Sequence, residues 1–138
     1  YMVDTLCERF QASAITHIAC IDARGFLVAS VMAYKLGLPL LLVRKQGKLP
    51  GPCIKQDYTL EYGTTSVEIQ VDACGDGDKV LLFDDLIATG GTLLAAINLI
   101  RRLGAEVVDV AAIVDLPALG GSHKVKASGV SCFSLCAY

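Results

Sequence analysis

The sequence lacks an apolar segment long enough to cross a bilayer. Its longest apolar run, residues 36–43, is interrupted by Gly37 and Pro39, whereas a membrane-spanning helix needs about 20 apolar residues. The sequence also lacks an excess of basic residues, since 12 lysines and arginines stand against 14 acidic residues. A nucleic-acid-binding surface is usually basic. Neither a membrane protein nor a nucleic-acid-binding protein is therefore indicated.

Histidine, a common metal ligand, is also scarce. The chain has two histidines, His17 and His123, and six cysteines. Cys132 and Cys136 lack a second ligand pair at finger-like spacing, so a zinc site is a weak hypothesis. Several cysteines lie in apolar stretches, which favours reduced, mostly buried thiols over a disulfide scaffold. We expect His17 to be structural and His123 to be solvated in a loop, so neither is an obvious catalytic base.

Strand-like and helical segments alternate along the chain. Strand-like runs occupy residues 17–21, 38–43, 80–84, 107–114 and 130–135, and helical patterns occupy residues 26–36 and 92–103. The spacing of Val3, Leu6, Cys7 and Phe10 predicts another amphipathic helix before them. This alternation predicts an α/β fold with a largely parallel, twisted sheet flanked by helices. Without a linker or repeat, residues 1–138 are expected to form a single domain.

A different pattern interrupts this alternation at about residues 45–71. A basic loop rich in glycine and proline is followed by short alternating runs at residues 58–62 and 67–71, around Gly63-Thr64-Thr65. Such runs predict a hairpin flap that stands off the sheet.

Residues 80–92, VLLFDDLIATGGT, carry the strongest functional signal. An apolar strand buried on both faces is expected to lead into Asp84 and Asp85, and a loop of small and hydroxylated residues then opens a helix that ends at Gly104. In open α/β sheets, ligands bind at the carboxyl ends of strands. A helix N-terminus favours a phosphate, and paired carboxylates suit sugar hydroxyls. We therefore expect a ribose 5-phosphate cradle formed by Asp84, Asp85, Ala88, Thr89, Gly90, Gly91 and Thr92.

The alternative for this motif is a Walker B element, in which an apolar strand also ends in acidic residues. The chain contains no GxxxxGK[ST] loop, so a P-loop nucleoside triphosphatase is not indicated.

Two further segments are candidates for binding a polyphosphate. Residues 22–25 join a strand to a helix at the same sheet edge, where their amides and Arg24 suit an anion. The alternative is that Asp22 caps the helix and Arg24 is a surface residue. Arg44, Lys45 and Lys48 precede Leu49-Pro50-Gly51-Pro52, and a cationic loop of this kind can cover a polyphosphate and exclude water. The alternative is that the lysines are merely solvated.

These motifs resemble a known family. Residues 80–92 are similar to the phosphoribosyl pyrophosphate (PRPP) signature of the type I phosphoribosyltransferases. The segments IDARGF, VRKQGKLPGP and LEYG resemble the adenine-specific branch, over about residues 17–138. The resemblance implies the type I phosphoribosyltransferase fold and the glycosyltransferase reaction of purine salvage, adenine + PRPP → AMP + pyrophosphate. It also implies Mg²⁺ as cofactor and a homodimer, and the composition suits a cytoplasmic protein.

The resemblance further implies roles for individual residues. It makes Glu61, Arg24 and Lys48 catalytic, with Glu61 acting on the purine proton. Pyrophosphate is expected at Asp22, Ala23, Arg24, Arg44, Lys45 and Lys48, Tyr62 is expected to help close the lid, and Leu116 is expected to pack on the base. Asp84 and Asp85 are expected to touch the metal only indirectly, through water or ribose. The alternative for Glu61 is an exposed strand residue paired with a lysine.

Two other functions stay open at the level of the sequence. One is a phosphoribosyltransferase for xanthine, hypoxanthine or guanine, and the other is a non-catalytic PRPP-binding regulatory domain. By resemblance, an adenine enzyme carries several tens of residues before the position of Tyr1, including a segment that folds over the base. We therefore expect either a fragment of a longer protein or a base site that is built differently.

Overall fold

The computed structural model describes residues 2–11, 14–21, 25–60 and 63–138, apart from the side chain of residue 60. The helices are α1 (Met2–Phe10), α2 (Phe26–Leu36), α3 (Gly91–Arg102) and α4 (Gly121–Ala127), with a 3₁₀ turn at Pro117–Leu119. The strands are β1 (His17–Ile21), β2 (Leu40–Lys45), β3 (Cys53–Leu60), β4 (Gly63–Gln70), β5 (Lys79–Ile87), β6 (Glu106–Asp115) and β7 (Ser131–Ala137). Within these ranges, one sheet of seven strands has the order β3-β4-β2-β1-β5-β6-β7. The predicted α/β class is confirmed.

The winding of the sheet changes direction at β1. This strand pairs in parallel with β2 on one side and with β5 on the other, and β6 and β7 continue the parallel order beyond β5. The chain therefore winds first towards β2 and later returns to the opposite side of β1. In open sheets of this kind, the crevice at the carboxyl ends of the strands beside such a reversal is the usual ligand site.

Apolar side chains cover both faces of the central strands. Val80 and Leu82 pack in a cluster with α3, while Leu81 and Phe83 pack in a second cluster with α1 and α2. All four are fully buried, as the unbroken apolar run predicts. Complete burial of such side chains stabilises the fold by about 1.5–3 kcal/mol each, so the strand that carries the aspartates is rigidly held.

The predicted hairpin is present and is joined to the sheet near one end. It is formed by β3 and β4, which pair from Cys53 with Gln70 to Leu60 with Gly63. β4 pairs antiparallel with β2 at two positions, Arg44 with Glu68 and Lys45 with Val67. Thr64 and Thr65 were expected in a turn but lie within β4, where Thr64 is opposite Thr59. β-branched residues fit a pleated strand better than a turn. Arg44 and Lys45 likewise lie in β2 and not in a loop.

Two more predictions about local structure were wrong. β5 does not end at the aspartates but continues to Ile87, because β6 runs beside it and pairs Val114 with Leu86 and Asp115 with Ile87. Residues 121–127 form α4, so His123 is exposed on a helix and not in a loop. A helix of two turns is too short to reveal an apolar period in the sequence.

All six cysteines are free thiols. Cys7 and Cys20 are buried, whereas the other four are half-buried, so the expectation of mostly buried thiols was correct for only these two. Burial raises the pKa of Cys7, Cys74 and Cys132. A raised pKa leaves less thiolate at neutral pH and lowers the reactivity of these thiols.

Among the helices in the described ranges, none combines the length and the apolar character that crossing a membrane requires.

Candidate active site

The end of the predicted anion loop and the aspartate pair lie close together where β1 and β5 run side by side. Gly25 is the last residue of the predicted anion loop and is buried against β5. A β-carbon added at Gly25 would lie 3.1 Å from Cys20 Sγ and 3.5 Å from the backbone nitrogen of Asp85. This close approach leaves little space for a side chain, so the glycine allows the start of α2 to lie beside the aspartate pair.

Several predicted site residues lie outside the described residues. They are Asp22, Ala23 and Arg24 of the anion loop, and Glu61 and Tyr62 of the hairpin. Their expected roles stay predictions.

The aspartate pair lies half-buried on β5, before the loop that leads to α3. Asp84 Oδ1 accepts a hydrogen bond of 2.8 Å from the backbone N–H of Asp85. This bond orients one carboxylate oxygen along the strand. A carboxylate held in this way accepts hydrogen bonds from hydroxyl groups and repels a second anion, which are the properties needed beside a sugar phosphate.

A cavity of about 100 Å³ lies where this strand passes into α3. Its wall is formed by Asp84, Leu86, Ala88, Thr89, Gly90, Gly91, Thr92 and Leu93. The structure thus brings together the residues predicted for the cradle, apart from Asp85, and adds two leucines. Leu86 could have been anticipated from strand alternation, because it lies two residues beyond Asp84 on the same face.

The N-terminus of α3 has the features of an anion site. Gly90 precedes the helix with a φ of 88°, in the left-handed region that favours glycine. No side chain of the described residues caps this end. The first N–H groups of a helix lack intrahelical partners, so they are available to a phosphate in the cavity.

The cradle also has contacts with two segments that the sequence did not indicate. A β-carbon at Gly91 would lie 3.5 Å from Tyr58 Cδ2, and Arg102 Nη1 donates a 2.6 Å hydrogen bond to the carbonyl oxygen of Lys55. Strand β3 therefore lies along α3. On the other side, Gly121 N–H donates a 2.9 Å hydrogen bond to the carbonyl oxygen of Ala88. These contacts join distant parts of the chain, and no local pattern predicts them.

The three predicted cations lie at the end of β2 or just beyond it. The Arg44 guanidinium lies 5.8 Å from the centroid of the Phe26 ring, so it is near the start of α2 and the predicted anion loop. Lys45 and Lys48 are exposed. The turn between them is held by the N–H of Gly47, which donates a 2.8 Å hydrogen bond to Glu68 Oε1.

Leu116 lies at the same edge of the sheet as the cradle. It directly follows β6, is half-buried, and donates a 3.0 Å hydrogen bond from its N–H to the carbonyl oxygen of Ile87. The adjacent Asp115 is 8% exposed. The Leu116 backbone is thereby held next to the end of β5.

A family model, the phosphoribosyl transferase domain, matches residues 6–134. The chain belongs to this family. Two curated relatives of this phosphoribosyltransferase are adenine phosphoribosyltransferases: that of Marinomonas sp. (strain MWYL1) is 63% identical and that of Marinobacter nauticus is 53% identical. Each alignment covers 99% of this chain and 76% of the relative. The family predicted from the motifs is confirmed.

Solved structures of adenine phosphoribosyltransferases have the same fold. That from Thermoanaerobacter pseudethanolicus superposes with a TM-score of 0.94 at 38% identity, over 100% of this chain and 79% of the other. That from Trypanosoma brucei, in complex with AMP, pyrophosphate and ribose-5-phosphate, has a TM-score of 0.90 at 34% identity, over 99% and 62%. The predicted type I phosphoribosyltransferase fold is confirmed.

The acidic residues of this phosphoribosyltransferase suit a metal that is held mainly by its substrate. In the part of the chain that the structure describes, no three His, Cys, Asp or Glu side chains form a group that could hold a metal ion. Mg²⁺ commonly keeps several waters and binds one or two carboxylates together with substrate phosphates. Asp84 and Asp85 fit this mode, because they are a pair of carboxylates beside the cradle.

Proposed function

We propose that this phosphoribosyltransferase transfers the ribose 5-phosphate group of PRPP to adenine, releasing AMP and pyrophosphate. The observation that carries the proposal is the cavity at the N-terminus of α3, whose lining includes both Asp84 and the first residues of the helix. The named relatives are adenine phosphoribosyltransferases. The ligands named for the Trypanosoma brucei enzyme are the two products of this reaction and its sugar phosphate.

The described residues suggest how the substrates are held. The 5′-phosphate accepts hydrogen bonds from the N–H groups and hydroxyls of residues 88–92, and Asp84 and Asp85 accept hydrogen bonds from the ribose hydroxyls. We propose that the pyrophosphate is held by Arg44, Lys45 and Lys48 and by residues 22–24, which lie outside the described residues. The base packs on Leu116. These contacts fix the anomeric carbon between the base and the leaving group.

The reaction exchanges one bond at the anomeric carbon for another. The bond from the anomeric carbon to the pyrophosphate oxygen breaks, and its electron pair stays on that oxygen. The N9 lone pair of adenine forms the new bond to the anomeric carbon. The purine then loses a proton, which we assign to Glu61. Positive charge develops on the sugar and negative charge on pyrophosphate. The aspartate carboxylates stabilise the positive charge on the sugar, and the cations at the end of β2 and just beyond it stabilise the negative charge on pyrophosphate.

Mg²⁺, when bound, supplies charge neutralisation for the pyrophosphate. We propose that Asp84 and Asp85 hold it through water or through the ribose hydroxyls. We also propose a cytoplasmic location, because the six free thiols suit a reducing compartment.

The choice of base is tested by steady-state assays with adenine, hypoxanthine, guanine and xanthine at saturating PRPP. We expect turnover with adenine to exceed that with the other three bases by at least about a hundredfold in kcat/KM, as for other sites that discriminate polar groups. Preference for an oxopurine would contradict the adenine assignment. PRPP binding with no turnover of any base would indicate the regulatory domain instead.

Asp84→Asn is expected to lower kcat/KM for PRPP by about ten- to a thousandfold, equivalent to about 1.4–4 kcal/mol. An asparagine oxygen can still accept the hydrogen bond from the Asp85 N–H, so the fold should be retained while the negative charge beside the ribose is lost. Asp85→Asn should act in the same direction. The measurement is the initial rate against PRPP concentration, with Asp72→Asn, an exposed position in a turn, as the control. Wild-type kinetics in both site variants would rule out the ribose assignment.

We propose that the protein is a homodimer that buries one face of α2. Leu27, Val31 and Tyr34 recur at helical spacing and are 80%, 48% and 89% exposed, while the opposite face of α2 packs in the core through Ala29 and Met32. An exposed apolar stripe of this kind is typical of an interface.

A charge within this stripe should therefore dissociate the dimer. Light scattering after gel filtration is expected to give twice the monomer mass for the wild type and a monomer for Val31→Glu. The control is Asn98→Glu, which adds the same charge to an exposed position of α3. A dimeric Val31→Glu variant would exclude this face as the interface.

A further inference from the structure

The segment from Leu116 to Gly121 is fastened to the cradle at both ends. Leu116 N–H donates to the carbonyl oxygen of Ile87 at 3.0 Å, and Gly121 N–H donates to the carbonyl oxygen of Ala88 at 2.9 Å. Ile87 and Ala88 are neighbours in the chain, where β5 passes into the loop before α3. The residues expected to face the base and the residues that surround the phosphate site are thus joined by two backbone hydrogen bonds.

At Gly121 this segment touches the loop so closely that no side chain fits. A β-carbon at Gly121 would lie 2.3 Å from the carbonyl oxygen of Ala88 and 2.8 Å from the nitrogen of Gly90. A β-carbon at Gly90 would lie 2.9 Å from the Cα of Gly121. The φ angle of Gly121 is not positive, so the chain conformation alone does not require glycine there. The requirement is for space between two backbones.

We propose that Gly121 is a positioning residue for the 5′-phosphate, in that its backbone supports residues 88–90 from behind and sets where the N–H groups of the cradle point. The inference rests on the proposed phosphate site. Gly121 is not expected to touch the substrate, because its close contacts are with the backbone of the loop. Its role is to fix the loop against α4.

The loop, and not α4, is the part that should yield when this contact is crowded. Ser122 and Val125 of α4 are buried at 7% and 0% exposure, whereas Thr89 in the loop is exposed. Relieving a contact of 2.3 Å requires a shift of about 1 Å. A misplacement of that size can lower a reaction rate about a hundredfold, and we expect it to weaken phosphate binding as well, because the N–H groups of the loop would no longer point at the phosphate.

Gly121→Ala tests the proposal, with Gly75→Ala as its control. Gly75 also has no positive φ, and a β-carbon there would meet only the carbonyl oxygen of Leu103 at 3.9 Å. Isothermal titration measures ribose 5-phosphate and, separately, pyrophosphate with Mg²⁺ on the full chain. Gly121→Ala is expected to weaken ribose 5-phosphate binding by about ten- to a hundredfold and to change pyrophosphate binding by less than about twofold. Gly75→Ala should leave both affinities unchanged.

A loss of ribose 5-phosphate affinity without a loss of pyrophosphate affinity distinguishes a positioning role from general destabilisation of the fold. Unchanged ribose 5-phosphate affinity in folded Gly121→Ala, or equal losses for both ligands, would overturn the inference. A wild type that binds no ribose 5-phosphate would instead overturn the proposed phosphate site itself.

A second pair of variants covers the case in which Gly121→Ala does not fold. Gly120 and Gly129 lie at opposite ends of α4, with φ angles of 84° and 91° and nothing within 4 Å of an added β-carbon. Alanine strains the backbone equally at both positions, but only Gly120 adjoins Gly121. Gly120→Ala is expected to weaken ribose 5-phosphate binding at least about threefold more than Gly129→Ala. Equal affinities in the two variants would contradict the inference.

Discussion

Gly91→Val is expected to eliminate measurable AMP binding while the protein stays folded. Gly91 is the first residue of α3 and lines the cavity, so a branched side chain there would obstruct the approach of a phosphate to the helix N-terminus. The backbone itself tolerates a side chain, because Gly91 has no positive φ and an added β-carbon would meet Tyr58 at an ordinary 3.5 Å. Calorimetric titration with AMP measures the loss, and circular dichroism monitors the fold.

A matched control places the same residue elsewhere on the same helix. Asn98→Val adds valine at an exposed position of α3, two turns beyond Gly91, and asparagine and valine have nearly the same helix propensity. It should bind AMP as the wild type does. The AMP affinity of Gly91→Ala should lie between the affinities of Gly91→Val and Asn98→Val. If Gly91→Val keeps wild-type affinity, the phosphate binds elsewhere.

The elements that sequence analysis located correctly are those with strong local signals. β1 and α2 have the predicted bounds, and α3 begins within one residue of its predicted start, because apolar runs and helical spacing report burial directly. The residues predicted for the cradle, apart from Asp85, line one cavity for the same reason, because the glycine-rich loop lies between a buried strand and an amphipathic helix.

The features that were missed depend on contacts between distant residues. The approach of Gly121 to Gly90 and the packing of Tyr58 near Gly91 join segments that no spacing rule connects. The antiparallel pairing of β4 with β2 is decided by the available sheet edge and not by the composition of the hairpin. Local patterns indicate candidate site residues, whereas the backbone segments that pack against them are revealed only by the three-dimensional structure.

These contacts make the hairpin part of the active-site framework. Tyr58 lies near the N-terminus of α3, and Arg102 near its C-terminus bonds to Lys55, so β3 is attached to the helix along its length. Leu60 pairs with Gly63 at the distal end of the hairpin. The base of the hairpin is therefore fixed relative to the cradle.

Glu61→Gln is expected to lower kcat by about 10²–10⁴-fold, the usual range for loss of a general acid or base, while PRPP affinity changes little. Glutamine keeps the size of the side chain but cannot accept the purine proton, so chemistry should be lost and binding kept. Single-turnover rates must be compared, because slow product release can mask the chemical step in kcat.

The control for this variant is Glu106→Gln, which removes the same charge from an exposed residue at the start of β6. That position lies at the amino end of the strand, opposite the edge that carries the cradle. It should leave both the single-turnover rate and PRPP affinity unchanged. If Glu61→Gln also turns over within a few-fold of the wild type, Glu61 is a structural strand residue. Catalysis would then rest on the electrostatic stabilisation of pyrophosphate and of the sugar cation alone.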